Sequence, residues 1–467
     1  MHEDKLEEAQ DVFADTEIQI STSGRRELGS PIGSRSFIED YVSKQVDVWA
    51  DELRRVCSIA RSQPQAAYCA FCQGLRSKWL YLTRTIPGVS TMLQPLEDVI
   101  RMEFIPVITG QPAPNDVVRA LLALPVRLGG LAIIDPTKTA DAEYESSIRV
   151  TAPLVALIVA HEKSLGDCHA QQHSIRKEIH AEKRKKCAEM AQLLLEQLPL
   201  DMRRNVQLAQ EKSASSWLSV RPLEQHGFVL HKSAFLDAIC LRYGWTLSRL
   251  PARCACGQSF TSEHALSCPT GGFPSLRHNE IRDILGALVS EVTSVSSIEP
   301  VLQPLTGEVF NRQTTTTDPE ARLDIYARGF WSQSENAFFD VRVVNPNAPS
   351  YRHLTPAACY RRAEREKERK YGERVRQIEH ASFTPLIFAT TGGVGGRTDV
   401  FLKQLASRLA ERRDMEYSET MAWLRCRLCF ALLRSSILCM RGSRVGARRK
   451  TATEDLEPEL AARQAVL

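Results

Sequence analysis

The sequence predicts a multi-domain α+β protein: a helical N-terminal half, a small Cys/His module and an α/β core toward the C-terminus. Three observations carry that expectation. Apolar residues recur at helical spacing through the first 160 positions, cysteine and histidine crowd together just after Pro251, and helix-like and strand-like runs then alternate.

At 467 residues the chain is long enough for more than one buried core. Its 43% hydrophobic and 25% charged residues are ordinary globular values, which excludes a fibrous, wholly disordered or disulfide-stapled small protein. The net charge, 60 Lys and Arg against 56 Asp and Glu, is only +4, so any basic surface must be local. The 13 cysteines are scattered from Cys57 to Cys439. The acidic N-terminus lacks the basic and apolar regions of a signal peptide. The longest apolar run, residues 152–160, is about half of what spans a bilayer. The expectation is an intracellular, reducing setting with no membrane partner and with thiols free or on metal.

Residues 1–40 are polar and Gly-punctuated, reading as short strands and turns. Val46, Val48, Trp49, Leu53 and Val56 then repeat at helical spacing, as do Trp79, Leu80 and Leu82 before Pro87-Gly88. The stretch 121–131 reads as a helix end running into a Gly129-Gly130 turn. Residues 161–250 read as a charged helical connector, with a basic run at 176–186 that is either a solvated face or a nucleic-acid contact. Beyond the Cys/His module (251–274), the core at 275–400 should contain a helix at 277–292, strands at 298–305, 321–327, 337–344 and 384–390, and a charged helix at 361–378. Residues 401–467 read as C-terminal helices and a basic tail.

Cys254, Cys256, His264 and Cys268 have the spacing C-x-C-x7-H-x3-C, and three thiolates with one imidazole can complete a tetrahedral zinc shell. Gly257 permits the tight turn a close cysteine pair needs, and His264 and Cys268 lie one helical turn apart. So small a module has no core of its own, so metal would supply its folding energy. Cys69/Cys72 and Cys426/Cys429 are also C-x-x-C pairs, but in apolar helical patterns where such thiols pack as small hydrophobes.

Two acidic strands are the second signal. Strand alternation puts Leu323 and Ile325 on one face with Asp324 and Tyr326 on the other. Likewise Phe339, Val341 and Val343 face one way, and Asp340 and Arg342 the other. An aspartate inside an apolar strand needs a partner. Side by side, Asp324 and Asp340 would repel each other, and a hard divalent cation relieves that. Ion pairs with Arg322 or Arg342 are the alternative. Glu280 sits at the edge of the apolar stripe Ile281/Ile284/Leu285/Leu288/Val292, and Lys367 and Lys370 share a face of the following charged helix.

In this order, helix-Glu, strand-Asp, strand-Asp-x-basic, Lys helix and strand, the segment from Cys254 through Thr391 resembles the PD-(D/E)XK restriction-like nucleases. With the Cys/His cluster ahead of it, the arrangement looks like the C-terminal part of non-LTR retrotransposon polyproteins. The resemblance implies Mg²⁺ held by Asp324 and Asp340, and Lys370, before Tyr371, as a displaced lysine acting on the attacking water. Glu280 would support the shell. Arg342 stands where the compact motif has Lys, and Leu323 where it has Pro. A guanidinium stays protonated, so Arg342 would contact the scissile phosphate rather than serve as a base.

Residues 1–160 look like the region after the polymerase centre and the thumb of such reverse transcriptases, on Arg25-Arg-Glu-Leu-Gly29, Leu93-Gln-Pro-Leu96 and Leu128-Gly-Gly130. No Tyr-x-Asp-Asp occurs, so the paired aspartates of a polymerase palm are missing. The resemblance implies a zinc-containing, Mg²⁺-dependent DNA endonuclease, nuclear by its substrate, with DNA and possibly element RNA as partners. A non-enzymatic nucleic-acid-binding module and an inactive truncated relic are the alternatives.

Overall fold

The computed structural model describes residues 5–18, 20–162 and 166–444, so the basic tail at 445–467 lies outside it. The chain forms two compact units, Met1–Leu198 and Pro199–Leu467. The segment 161–250, expected as one connector, is therefore shared between them.

The first unit is helical with one antiparallel hairpin, Gly24–Glu27 (β1) against Ser30–Gly33 (β2). Helix α1 (Arg35–Ala60) begins where the Ser34 hydroxyl accepts from the Phe37 amide. Val42, Val46, Trp49, Leu53 and Cys57 recur at three- and four-residue steps and are buried. Val48, two positions from Val46 and so about half a turn round, is 50% exposed. Trp49 packs on Trp79 with centroids 6.3 Å apart. A buried, two-pronged pair joins Arg119 to Glu97 at 2.6 and 2.7 Å. The Gly-Gly turn forms as the sequence suggests. Gly129 has φ +91°, and a Cβ on Gly130 would meet the Leu124 carbonyl oxygen at 2.0 Å, so only glycine fits there.

Helices α2 (Pro136–Val159) and α3 (Cys168–Gln197) are tied by Lys183–Glu143 and Arg149–Glu182, each at 2.7 Å. Part of the basic run 176–186 is thus matched by acidic partners. Among the described residues, no helix is long and apolar enough to cross a membrane.

The second unit mixes helix and sheet. Helices α4 (Leu200–Ala209) and α5 (Lys232–Tyr243) lead to a short Cys/His segment with helix α6 (Ser262–Ser267), then α7 (Phe273–Val292). Four strands follow: β3 (Val295–Ile298), β4 (Ile325–Arg328), β5 (Asn336–Val344) and, after α8 (Pro356–Lys367), β6 (Ser382–Ala389). Helices α9 (Gly396–Arg413) and α10 (Tyr417–Arg441) close the unit. The sheet order is β3-β4-β5-β6, antiparallel except for the parallel pair β5/β6. That pair requires a crossover, and α8 supplies it.

Two expectations change. Of the strand expected at 298–305 only Ile298 lies in β3, which begins earlier at Val295, and Val301 forms a lone bridge; Pro300 and Pro304 lack the amide a strand needs. The helix expected at 361–378 is interrupted, since Glu368–Gly372 forms a wide π turn between α8 and Glu373–Gln377.

Both faces of the sheet are covered. Ile281, Leu285 and Leu288 of α7 join Ile325, Phe339, Val341, Phe388 and the apolar stripes of α9 and α10 in the main core. Across the sheet, Phe338 packs with Leu323, Tyr371, Val375 and Phe383. The alternation read in β5 is the one observed.

Glu211, just past α4, accepts a 2.5 Å hydrogen bond from the Tyr360 hydroxyl of α8. Burial pushes its carboxyl up to about 7, against the opposing pull of that hydrogen bond. A folded-state pKa above the unfolded value, ~4.3, means the folded chain holds this proton more tightly. That stabilisation is complete below the unfolded pKa and lost as pH rises through 7. Urea unfolding of the wild type should therefore lose about 3 kcal/mol from this group between about pH 4.5 and 7.5. Glu211→Gln should flatten most of that slope, and an unchanged slope would refute the assignment.

Candidate functional site

Local chemistry builds the Cys/His cluster first. Cys254 donates its amide to the Gln258 carbonyl and Gly257 to the Cys254 carbonyl, both at 2.8 Å, closing a turn in which Gly257 has φ +90°. The Thr261 hydroxyl then accepts from the His264 amide and starts α6. Sγ of Cys254, Cys256 and Cys268 and a ring nitrogen of His264 all lie within 4.8 Å of one another. Cys254 and Cys268 Sγ are 3.9 Å apart, and Cys256 Sγ is 3.3 Å from His264 Nε2. A tetrahedral shell with Zn–S bonds near 2.3 Å has edges of about 3.8 Å, so the cluster can hold a metal such as zinc.

The other C-x-x-C thiols behave as packing groups. Burial pushes Cys72 up to about 11 and Cys429 up to about 12, far from a thiolate at neutral pH.

The knuckle is fastened to the rest of the unit. Arg444 donates to the carbonyls of Ala265, Thr270 and Cys439 at 2.8, 2.8 and 2.6 Å. Arg277 of α7 reaches the Leu266 carbonyl at 3.1 Å, and the Asn345 amide, past β5, reaches Ser267 Oγ at 3.0 Å.

The second cluster lies where β4 begins. Ile325 pairs with Phe339, so the antiparallel register carried one step back sets Asp324 opposite Asp340. Both are buried. Asp324 Oδ2 accepts from the Val341 amide at 2.6 Å, and Oδ1 lies 2.9 Å from His278 Nε2 of α7. Asp340 Oδ2 forms an ion pair with Lys367 Nζ, at the end of α8, at 2.6 Å. Burial pushes the Asp340 carboxyl above the usual carboxylate range; Lys367 pulls it down and Asp324 pushes it further up. Neither aspartate is paired with Arg322 or Arg342.

Beside the pair, an open cleft of ≈ 460 Å³ is lined by His278, Arg342, Glu366, Lys367 and Lys370. Lys370 shares this cleft but stands against the Tyr371 ring, 4.9 Å from its centroid. Lys367 also lies over the Tyr371 ring, 5.6 Å from its centroid, but it is the lysine whose Nζ reaches Asp340. The Lys370 ammonium is held above its ordinary pKa, chiefly by its hydrogen bond with Tyr371, the wrong direction for a proton acceptor.

Arg342 is already engaged, with Glu366 at 2.6 Å and the Tyr351 hydroxyl at 3.0 Å. Glu280 is not brought to the pair. Its carboxyl accepts from the Ser435 hydroxyl of α10, and burial pushes its pKa up against that bond. Two residues along a helix turn it by about 200°, so Glu280 faces α10 while His278 faces the sheet. Tyr351, Tyr360 and Tyr371 are buried, as packing residues are.

The spacing of the acidic residues does not single out His278, and of the two lysines the structure places Lys367 rather than Lys370 on Asp340. The first was findable: His278 lies three before Ile281 and seven before Leu285, squarely on the sheet-facing stripe. No known protein family matches this chain, and no curated protein is significantly similar to it.

Proposed function

We propose that the second unit is a restriction-like, Mg²⁺-dependent DNA endonuclease of the non-LTR retrotransposon kind, with a zinc knuckle that helps hold nucleic acid. The carrying observation is the meeting of Asp324, Asp340 and Lys367, with Lys367 and the Asp324 partner His278 also lining one cleft. Asp340 Oδ2 meets the Lys367 ammonium, so a hard cation would compete with that lysine for this carboxylate oxygen. Asp324 and Asp340 would hold that ion, which when bound supplies Lewis-acid activation and lowers the pKa of water.

The remaining work falls to side chains of this chain. His278 and the Val341 amide fix the Asp324 carboxylate in one orientation. Lys367 places a positive charge at the same point, where it orients an attacking water and offsets charge growing on a phosphate. Arg342, a permanent cation on the cleft wall, attracts the phosphate backbone while Glu366 and Tyr351 hold it. The helical first unit is read as the thumb-like region of the same parent polyprotein. With no Tyr-x-Asp-Asp, it would not polymerise DNA by itself. DNA, and element RNA in the parent's cycle, are the partners this reading names, in the nucleus.

A second reading, a nucleic-acid-binding module with a decayed nuclease, is favoured by Arg342 standing where Lys is usual. Supercoiled plasmid with Mg²⁺ separates the two. Wild type should nick it, and Asp340→Ala should lower the rate by at least about a hundredfold. Equal rates would end the enzyme reading and leave the binding module.

A further inference from the structure

The basic run of α3 is only in part answered by the acids around it. His169, His173, Arg176, Lys177, His180 and Arg184 are all exposed. None of these six side chains has a hydrogen bond or ion pair among the described residues. At about 100° per residue they fall within one arc of about 100°. Glu178, Glu182 and Glu189 lie on the opposite side of the helix, where Glu182 meets Arg149 of α2 and Glu189 meets Lys185. The charges of this helix are therefore sorted by face, where a merely solvated helix intersperses them.

Packing does not call for this face. Ile179 is buried about a third of a turn round from it, and past Arg184 the same face turns apolar, with Ala191, Leu194 and Leu195 buried. Like charges three and four residues apart weaken a helix, so the face gains from a polyanion. Its shape selects among polyanions. From His169 to Arg184 the stripe runs about 22 Å, or about six base steps of 3.4 Å along a duplex. No Phe, Tyr or Trp occurs between Cys168 and Gln197, so there is no platform on which unpaired bases stack. The stripe also lacks the apolar centre around which a protein interface is built. Ala170 and Ala181 flank it, small enough for a phosphate backbone to come close.

We propose that this face of α3 binds the phosphate backbone of double-stranded DNA, without regard to its sequence. Arg176, Lys177 and Arg184 each meet one phosphate, and the three imidazoles donate hydrogen bonds to phosphate oxygens beside them. Such contacts position a duplex and leave its bases unread. The proposal goes beyond the nuclease reading and takes from it only that the duplex is DNA.

Fluorescence anisotropy of the full chain with a labelled duplex of about 20 base pairs, without added Mg²⁺, tests the face with no cleavage. The logarithm of the binding constant should fall linearly with the logarithm of the salt concentration. The triple variant Arg176→Ala, Lys177→Ala, Arg184→Ala should make that slope shallower by about 2.7, three phosphates at about 0.9 each. It should also weaken binding at least about tenfold at about 0.1 M salt. Arg35→Ala, Lys44→Ala, Lys78→Ala together remove the same charge from exposed cations that already hold a carboxylate, and should leave the slope unchanged. All six positions are exposed, so both variants should melt like the wild type. An unchanged slope in the first variant, an equal loss in both, an effect confined to single-stranded DNA, or tighter binding to phosphatidylserine vesicles than to the duplex would overturn the proposal. Plasmid nicking reads the second unit, so a nuclease that fails leaves this slope measurable, and a slope that does not change leaves nicking to be judged on Asp340→Ala.

Discussion

Lys367→Met should slow plasmid nicking by about a hundredfold, whereas Lys370→Ala should change it by no more than a few-fold. The contrast follows from placement: Lys367 Nζ lies 2.6 Å from Asp340 Oδ2, while Lys370 stands on Tyr371. Methionine retains most of the stem and so limits the packing loss. Removing the ammonium also removes a competitor for the same oxygen, so the Mg²⁺ concentration needed for half-maximal rate should fall even as the rate drops. A purely structural lysine would not give that opposite movement. If Lys370→Ala proves the more damaging change, the sequence assignment was right and the geometric one is wrong.

The knuckle carries the other large effect. Freshly purified protein should contain one zinc per chain, and Cys268→Ser should lose it. Structural zinc supplies on the order of 10 kcal/mol to such modules, more than the few apolar side chains near α6 can replace. Hydrogen exchange in Cys268→Ser should therefore become fast across residues 253–270. It should also rise at the end of α10, whose Cys439 carbonyl shares Arg444 with the knuckle. Metal analysis that finds no zinc in the wild type would dispose of the site.

Much of this was legible in the sequence because it is local. Spacing alone singled out Cys254, Cys256, His264 and Cys268, and period-2 alternation put Asp340 and Arg342 on the face opposite Phe339 and Val341. What failed depended on information spacing does not carry. Lys367 and Lys370 do line one cleft, as their spacing suggests, but spacing does not say that Lys367 is the one that reaches Asp340, and nothing in Glu368-Arg-Lys-Tyr-Gly372 announces a π turn. Glu280 stands at the edge of the apolar stripe of α7, and only the packing of α7 between the sheet and α10 shows that it faces Ser435. The pairing of Arg342 is not legible in the sequence because its partner Glu366 lies 24 residues away, on α8. The division of the chain after Leu198 was hidden for a like reason. Both sides of that point are equally charged and helix-prone.

Arg444 has a consequence for the order of assembly. It stands 179 residues downstream of Ala265, whose carbonyl it holds. During synthesis the knuckle leaves the ribosome long before its fastener exists, at about 5–20 residues per second. For roughly ten seconds or more the thiols of Cys254, Cys256 and Cys268 are made but not yet clamped against α10. A metal held by these thiols would then be captured by a loose hairpin, and the Arg444 contacts would slow its release once the last helix arrives. Timing would thus give the nascent chain an early window for loading a metal and the finished chain a barrier to losing it.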